Sequence, residues 1–140
     1  MLRRSRVFTS EMPQLAEMRR FVRGCAEEAW PGDVPAAALD EIELALQEAA
    51  TNVVRHAYGN EPGRPIQLDV IADEHHLEVT ITHTGEDFDP EAVPPPSFDG
   101  SRTGGFGLHL IRTLMDEVCY LHGEPGCGVR MSKRRPAKGT

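Results

Sequence analysis

An α/β two-layer sandwich, with a mixed but mostly antiparallel sheet and its helices on one face, is the fold this sequence predicts. Three observations carry it. Two long segments, from about residue 14 to 29 and from Pro35 to about Tyr58, place apolar residues at three- and four-residue steps, the period of a helix with one buried face. Two pairs of short runs alternate apolar and polar residues, the period of half-buried strands. The order of elements is strand, two helices, hairpin, long loop, helix, hairpin, and helices on one face of a sheet pack that order most economically.

Bulk composition sets the frame. The 140 residues suit one domain, expected over 1–140 with a core of about 6–134 and a tail from 135 to 140. Hydrophobic residues make up 39% and charged residues 26%, the proportions of a globular protein and not of a disordered chain. The net charge of -7 leaves no broad basic surface, so a direct nucleic-acid partner is not expected. Cys25, Cys119 and Cys127 are odd in number and lack C-x-x-C spacing, which favours reduced thiols in a cytoplasmic setting. Neither a membrane span nor a signal peptide is expected, since no run of about 18 apolar residues occurs.

Each element has its own local reason. Arg6-Val7-Phe8-Thr9 is short and β-prone, an edge strand. Ser10-Glu11-Met12-Pro13 reads as a helix start, with Ser10 as the capping hydroxyl and Pro13 where it costs least. Leu15, Met18, Val22, Cys25, Ala26 and Ala29 then form one stripe, with Arg19, Arg20 and Arg23 opposite. Trp30-Pro31-Gly32-Asp33 ends that helix. Pro35 opens the second, whose stripe is Ile42, Leu46, Ala49, Val53 and Ala57. Ile66, Leu68 and Val70, then Leu77, Val79 and Ile81, alternate with polar residues as an antiparallel hairpin. The segment 83–105 has no clear period, and a loop of that length in a small domain usually serves as a lid or binding loop. Leu108, Ile111, Leu114 and Met115 mark a third helix; residues 118–121 and 128–132 are two closing strands.

Glu48 and Asn52 stand one turn apart at the flank of the second helix. A carboxylate and a carboxamide so placed can hold a metal ion or a water, and can equally be two solvated polar residues. Gly104-Gly105-Phe106-Gly107 precedes the third helix. Glycines there let backbone amides approach a polyphosphate, and the same cluster also fits a simple hinge. No Gly-Lys-Ser/Thr follows it, and Leu110 stands where a dinucleotide fingerprint would need its third glycine.

The combination is more specific than its parts. Glu48-x-x-x-Asn52, then Gly85 with Phe88-Asp89-Pro90 after a strand, then Gly105-Phe106-Gly107-Leu108, then Leu114-Met115-Asp116-Glu117-Val118, resembles the GHKL (Bergerat-fold) ATPase superfamily. Within it the likeness is to the anti-sigma factor serine/threonine kinases of partner-switching systems. The resemblance implies ATP and Mg²⁺ as cofactors. It implies Glu48 as general base toward an incoming hydroxyl and Asn52 as a Mg²⁺ ligand. Gly105, Gly107 and Leu108 would form the phosphate cradle, with Arg102 and Thr103 as contacts from an ATP lid over residues 91–104. It also implies an anti-anti-sigma (STAS-domain) partner, a sigma factor held in alternation with it, and a homodimer. His56 reads as a structural residue on the core side of its helix.

Two positions depart from the family pattern Asp-x-Gly-x-Gly. His83 stands where the aspartate would accept from the adenine amino group, and Asp87 replaces the second glycine. A regulatory binding module on the same fold, silent or weak toward nucleotide, is the alternative this motivates. The ATP-binding domain of a histidine kinase is a poorer reading, because no segment with a phospho-accepting histidine precedes the domain. A metal-dependent hydrolase using His75, His76 and His83 is poorer still, since His75-His76 fall in a turn.

Overall fold

A computed structural model describes residues 1–32, 34–87, 106–123 and 126–137. The chain runs β1 (Leu2–Thr9), α1 (Gln14–Ala29), α2 (Ala36–Asn52), a π-helical turn (Val53–Ala57), β2 (Pro65–Ala72), β3 (His76–His83), α3 (Phe106–Leu114), β4 (Glu117–Leu121) and β5 (Cys127–Arg134). The five strands form one sheet in the order β1-β2-β3-β5-β4. The two-layer α/β fold is as expected, and every pairing among the described strands is antiparallel. Short connections at 73–75 and 122–126 force antiparallel pairs. The longer return through α3 and β4 brings β5 beside β3, again antiparallel.

The strand alternation decides which side faces the helices. Ile66, Leu68, Val70 and Ala72 of β2, Leu77, Val79 and Ile81 of β3, and Val129 and Met131 of β5 are buried. They meet Met18 and Val22 of α1, Ile42 and Leu46 of α2, and Ile111 of α3 in one core. Burying a side chain of this size contributes roughly 1.5–3 kcal/mol. Arg23 ties the helices outside that core, donating to Asp40 at 2.9 Å and Glu43 at 2.6 Å. Lys133 donates to Glu41 at 2.9 Å and to the Leu114 carbonyl at 2.6 Å, so a cation caps the C-terminal end of α3.

Two sequence expectations are corrected. The first strand begins at Leu2, not Arg6, and pairs with β2 over eight residues, Leu2 opposite Ala72 and Thr9 opposite Pro65. Backbone pairing carries it through Arg3, Arg4 and Arg6, as an edge strand tolerates charge. Arg4 reaches Glu28 at 2.7 Å, and the Arg6 guanidinium lies 4.5 Å over the Phe8 ring. Ser10 does not cap α1, whose N-cap is Pro13 without a side-chain bond. The hydroxyl, 2% exposed, instead donates to the Glu61 carbonyl at 2.6 Å and accepts from the Arg64 amide at 3.0 Å. Glu11 accepts from the Gly63 amide at 2.8 Å, and that bond holds its carboxyl below the usual carboxylate range. The turn before β2 is thus clamped by the segment that precedes α1.

Gly24 lies inside α1, and a Cβ there would meet nothing within 4 Å. Gly24→Ala is expected to stabilise the fold by about 0.5–1 kcal/mol, because glycine loses the most backbone entropy in a helix. Urea unfolding of the two proteins measures this.

Candidate functional site

The C-terminal end of α2 and the turn that continues it face the strands across a cavity of about 140 Å³. Ala49, Val53 and Ala57 supply apolar groups from the helical side, and Tyr120, Gly128 and Val129 supply the strand side. Asn52, His56, His83, Glu86 and Asp87 add the polar ones. The Tyr120 hydroxyl is buried, which raises its pKa.

The π-helical turn shapes one wall. The Tyr58 amide bonds back to the Val53 carbonyl at 3.0 Å and the Asn60 amide to the Val54 carbonyl at 2.8 Å. These longer reaches widen the helix and rotate its last residues, a feature common at functional sites. His56 is the consequence. It is exposed and lines the cavity, not the core side of an α-helix as its spacing implied.

Glu48 and Asn52 are both partly exposed, one turn apart on α2. Neither side chain has a hydrogen-bond partner among the described residues. Asn52 opens on the cavity. Gly107, the second residue of α3, comes so close that a Cβ there would lie 3.1 Å from Glu48 Oε2. The packing of α3 on α2 therefore brings together Glu48 and the N-terminal turn of α3, whose first amides have no partner inside the helix. Leu108 beside it is buried and anchors that end. Gly105, Arg102 and Thr103, with Phe88, Asp89, Pro90 and the expected lid, lie outside the described residues.

His83 is the last residue of β3, not the first of the loop, and continues the inward row of Leu77, Val79 and Ile81. It is 4% exposed. The Gly85 amide donates to its Nδ1 at 3.1 Å, and the Tyr58 ring meets it edge-on at 5.7 Å between centroids. Burial pushes the imidazole below its ordinary 6.5, with Asp87 opposing in part. Folding therefore favours the neutral ring. As pH falls through about 6.5 the unfolded chain protonates first, so stability is lost on acidification and kept above that pH. Urea titrations at acid and neutral pH should show a steeper acid loss for the wild type than for His83→Gln. Equal slopes would count against this.

Gly85 sits where no side chain fits. A Cβ would lie 2.4 Å from the Ala57 carbonyl oxygen and 2.8 Å from Tyr58 Cδ1. The Glu86 amide donates to the same carbonyl at 2.9 Å. Tyr58 completes the joint: its hydroxyl donates to the Pro65 carbonyl at 2.5 Å and accepts from the Thr84 amide at 2.9 Å. At the rim His122 Nδ1 lies 2.8 Å from both oxygens of Asp87. The negative charge that Asp87 adds thus has a titratable partner.

The chemistry of the donor set fits a nucleotide with Mg²⁺. A flat ring matches the apolar walls, and a free carboxamide oxygen suits a hard cation that keeps several waters and takes few protein ligands. Among the described residues no three histidine, cysteine, aspartate or glutamate side chains gather as a metal cage. His75 stays exposed in the turn after β2, and His76, exposed as well, is the first residue of β3 and not part of the turn. Sequence reasoning missed Tyr120, Val129 and Gly128 as lining residues and His122 as partner of Asp87. Their only local signal was a short closing hairpin.

Comparison with known proteins gives the same direction. A family model described as the histidine kinase-like ATPase domain matches residues 8–133. Serine-protein kinase RsbW of Oceanobacillus iheyensis is 35% identical over 103 residues, 68% of this chain and 65% of the relative. The protein of that name from Bacillus subtilis strain 168 is 32% identical over 103 residues, 68% of this chain and 64% of the relative. The matched stretch thus spans a little under two thirds of these relatives. The crystal structure of the RsbU and RsbW domains of Rv1364c from Mycobacterium tuberculosis has the same fold. Its TM-score is 0.68 at 16% identity, over 98% of this chain and 33% of that one.

Proposed function

The chain belongs to the histidine kinase-like ATPase family, and from that premise we propose that it is an ATP-dependent protein-serine/threonine kinase that also acts as an anti-sigma factor. It phosphorylates a STAS-domain anti-anti-sigma partner and holds a sigma factor when that partner is phosphorylated. Its folded unit runs from β1, which starts at Leu2, to the end of β5 at about residue 134, and it works as a cytoplasmic homodimer without membrane or direct nucleic-acid contact. The relatives named serine-protein kinase RsbW support the activity. Among the described residues no helix is long and apolar enough to cross a membrane.

The observation that carries the reading is the pair Glu48 and Asn52, neither with a partner among the described residues, beside a cavity and the N-terminal turn of α3. Asn52 would hold Mg²⁺ through its carboxamide oxygen, and the ion would supply positive charge that offsets the charge of the phosphates. Glu48 takes the proton from the incoming serine or threonine hydroxyl. Its partial exposure leaves it accessible, and phosphoryl transfer asks mainly for position. Gly107, Leu108 and, outside the described residues, Gly105, Arg102 and Thr103 hold the phosphates. His83 and Gly85 form the base end.

Incubation with Mg-ATP and a STAS-domain partner, followed by mass spectrometry, tests this. Phosphoserine or phosphothreonine on the partner is expected; its absence despite measurable complex formation overturns the kinase. His83 favours one second reading, a regulatory module that binds its partners and uses no nucleotide. Calorimetry with ADP separates the two, since micromolar binding removes the silent module.

A further inference from the structure

The base end of the cavity holds a buried polar atom with a defined role. The Gly85 amide can only donate, so His83 Nδ1 accepts at 3.1 Å. On a neutral ring the remaining proton then sits on Nε2. Among the described residues Nε2 has no hydrogen-bond partner. The residue is 4% exposed, its side chain belongs to the inward row of β3, and the ring lines the cavity. Access to Nε2 therefore runs through the cavity.

The surroundings suit a flat heterocycle. Ala49, Val53 and Ala57 face Val129 and Tyr120 across about 140 Å³, the scale of a cavity that takes an aromatic ring. What distinguishes one purine from another at position six is the sense of its hydrogen bond. Guanine carries an acceptor oxygen there, as hypoxanthine does, whereas adenine carries an amino donor. A donor set against a donor leaves both unpaired, and sites built around a polar group discriminate strongly on that basis.

We propose that His83 makes the base subsite a hydrogen-bond donor, so that the cavity takes a 6-oxopurine nucleotide, of guanine or hypoxanthine, at least as tightly as an adenine nucleotide. This rests on the reading of the cavity as a nucleotide site. His83 is here a specificity-determining residue, and the proposal concerns only the ring, not the phosphates.

Calorimetric titration with ADP, IDP and GDP in the presence of Mg²⁺, above about pH 7 where the imidazole is neutral, tests it. In the wild type IDP and GDP are expected to bind at least as tightly as ADP. In His83→Asp, where an acceptor replaces the donor, the ratio should shift toward ADP by about tenfold or more. His83→Asn carries both a donor and an acceptor, and should move the ratio part of the way. The wild-type ratio is decisive even if His83→Asp does not fold. ADP binding about tenfold tighter than IDP in the wild type overturns the proposal and leaves the nucleotide site standing. No binding of any of the three at about 1 mM overturns both. An unchanged ratio in a folded His83→Asp or His83→Asn protein also overturns it.

Discussion

Glu48→Gln is expected to slow phosphorylation of a STAS-domain partner by about 10²–10⁴-fold, the usual contribution of a positioned general base. Stability should change by no more than about 0.5 kcal/mol, because the carboxylate has no bond to lose among the described residues. Partner binding should persist, since the shape of α2 is unchanged. Initial rates from quantitative phosphopeptide mass spectrometry, beside thermal unfolding of the same preparation, separate the two effects. A variant that keeps wild-type rates removes Glu48 from the base role. A variant that fails to fold shows instead that the carboxylate is structural.

Gly85→Ala should act in the opposite way, on the fold first and on the site through it. The added methyl would lie 2.4 Å from the Ala57 carbonyl oxygen and 2.8 Å from its carbon. Those are backbone atoms, and no rotamer change relieves the clash. The chain after β3 must move away from the π-helical turn, which loosens the Glu86–Ala57 bond of 2.9 Å and the bond from Gly85 to His83. Overpacking of this kind costs about 1–3 kcal/mol, and a lost buried hydrogen bond adds about 1 kcal/mol. Urea midpoints should fall accordingly, and nucleotide affinity should fall with them because His83 loses its orienting donor. Wild-type stability in Gly85→Ala would mean that the close approach is not kept in solution.

Much of the fold was legible in the residue pattern because its determinants are local. The alternation at Ile66, Leu68, Val70 and at Leu77, Val79, Ile81 is one face of a pleat, and those residues are the buried ones. The stripe Ile42, Leu46, Ala49, Val53 likewise became the inner face of α2 and its continuation. Leu2–Ser5 was not legible as strand, since its arginines carry no apolar period. Only pairing with β2 makes it one. Ser10 had the right residue type for a cap and a different use, because a turn fifty residues away competes for its hydroxyl.

The site divides along the same line. Residue order alone reads His83 as the start of a loop, whereas pairing with β2 and β5 makes it the end of β3. It is enough, however, to put a carboxylate and a carboxamide one helical turn apart and a glycine ahead of a third helix. Period and residue chemistry suffice for those. Packing in three dimensions was needed to bring Gly107 to Glu48, to turn His56 outward to the cavity, to build the far wall from Tyr120 and Val129, and to set the histidine as a donor through Gly85. Each depends on contacts between residues distant in the chain or on a widened turn with no local signature. A pattern of spacings states which groups are available; packing states which atoms they are left with.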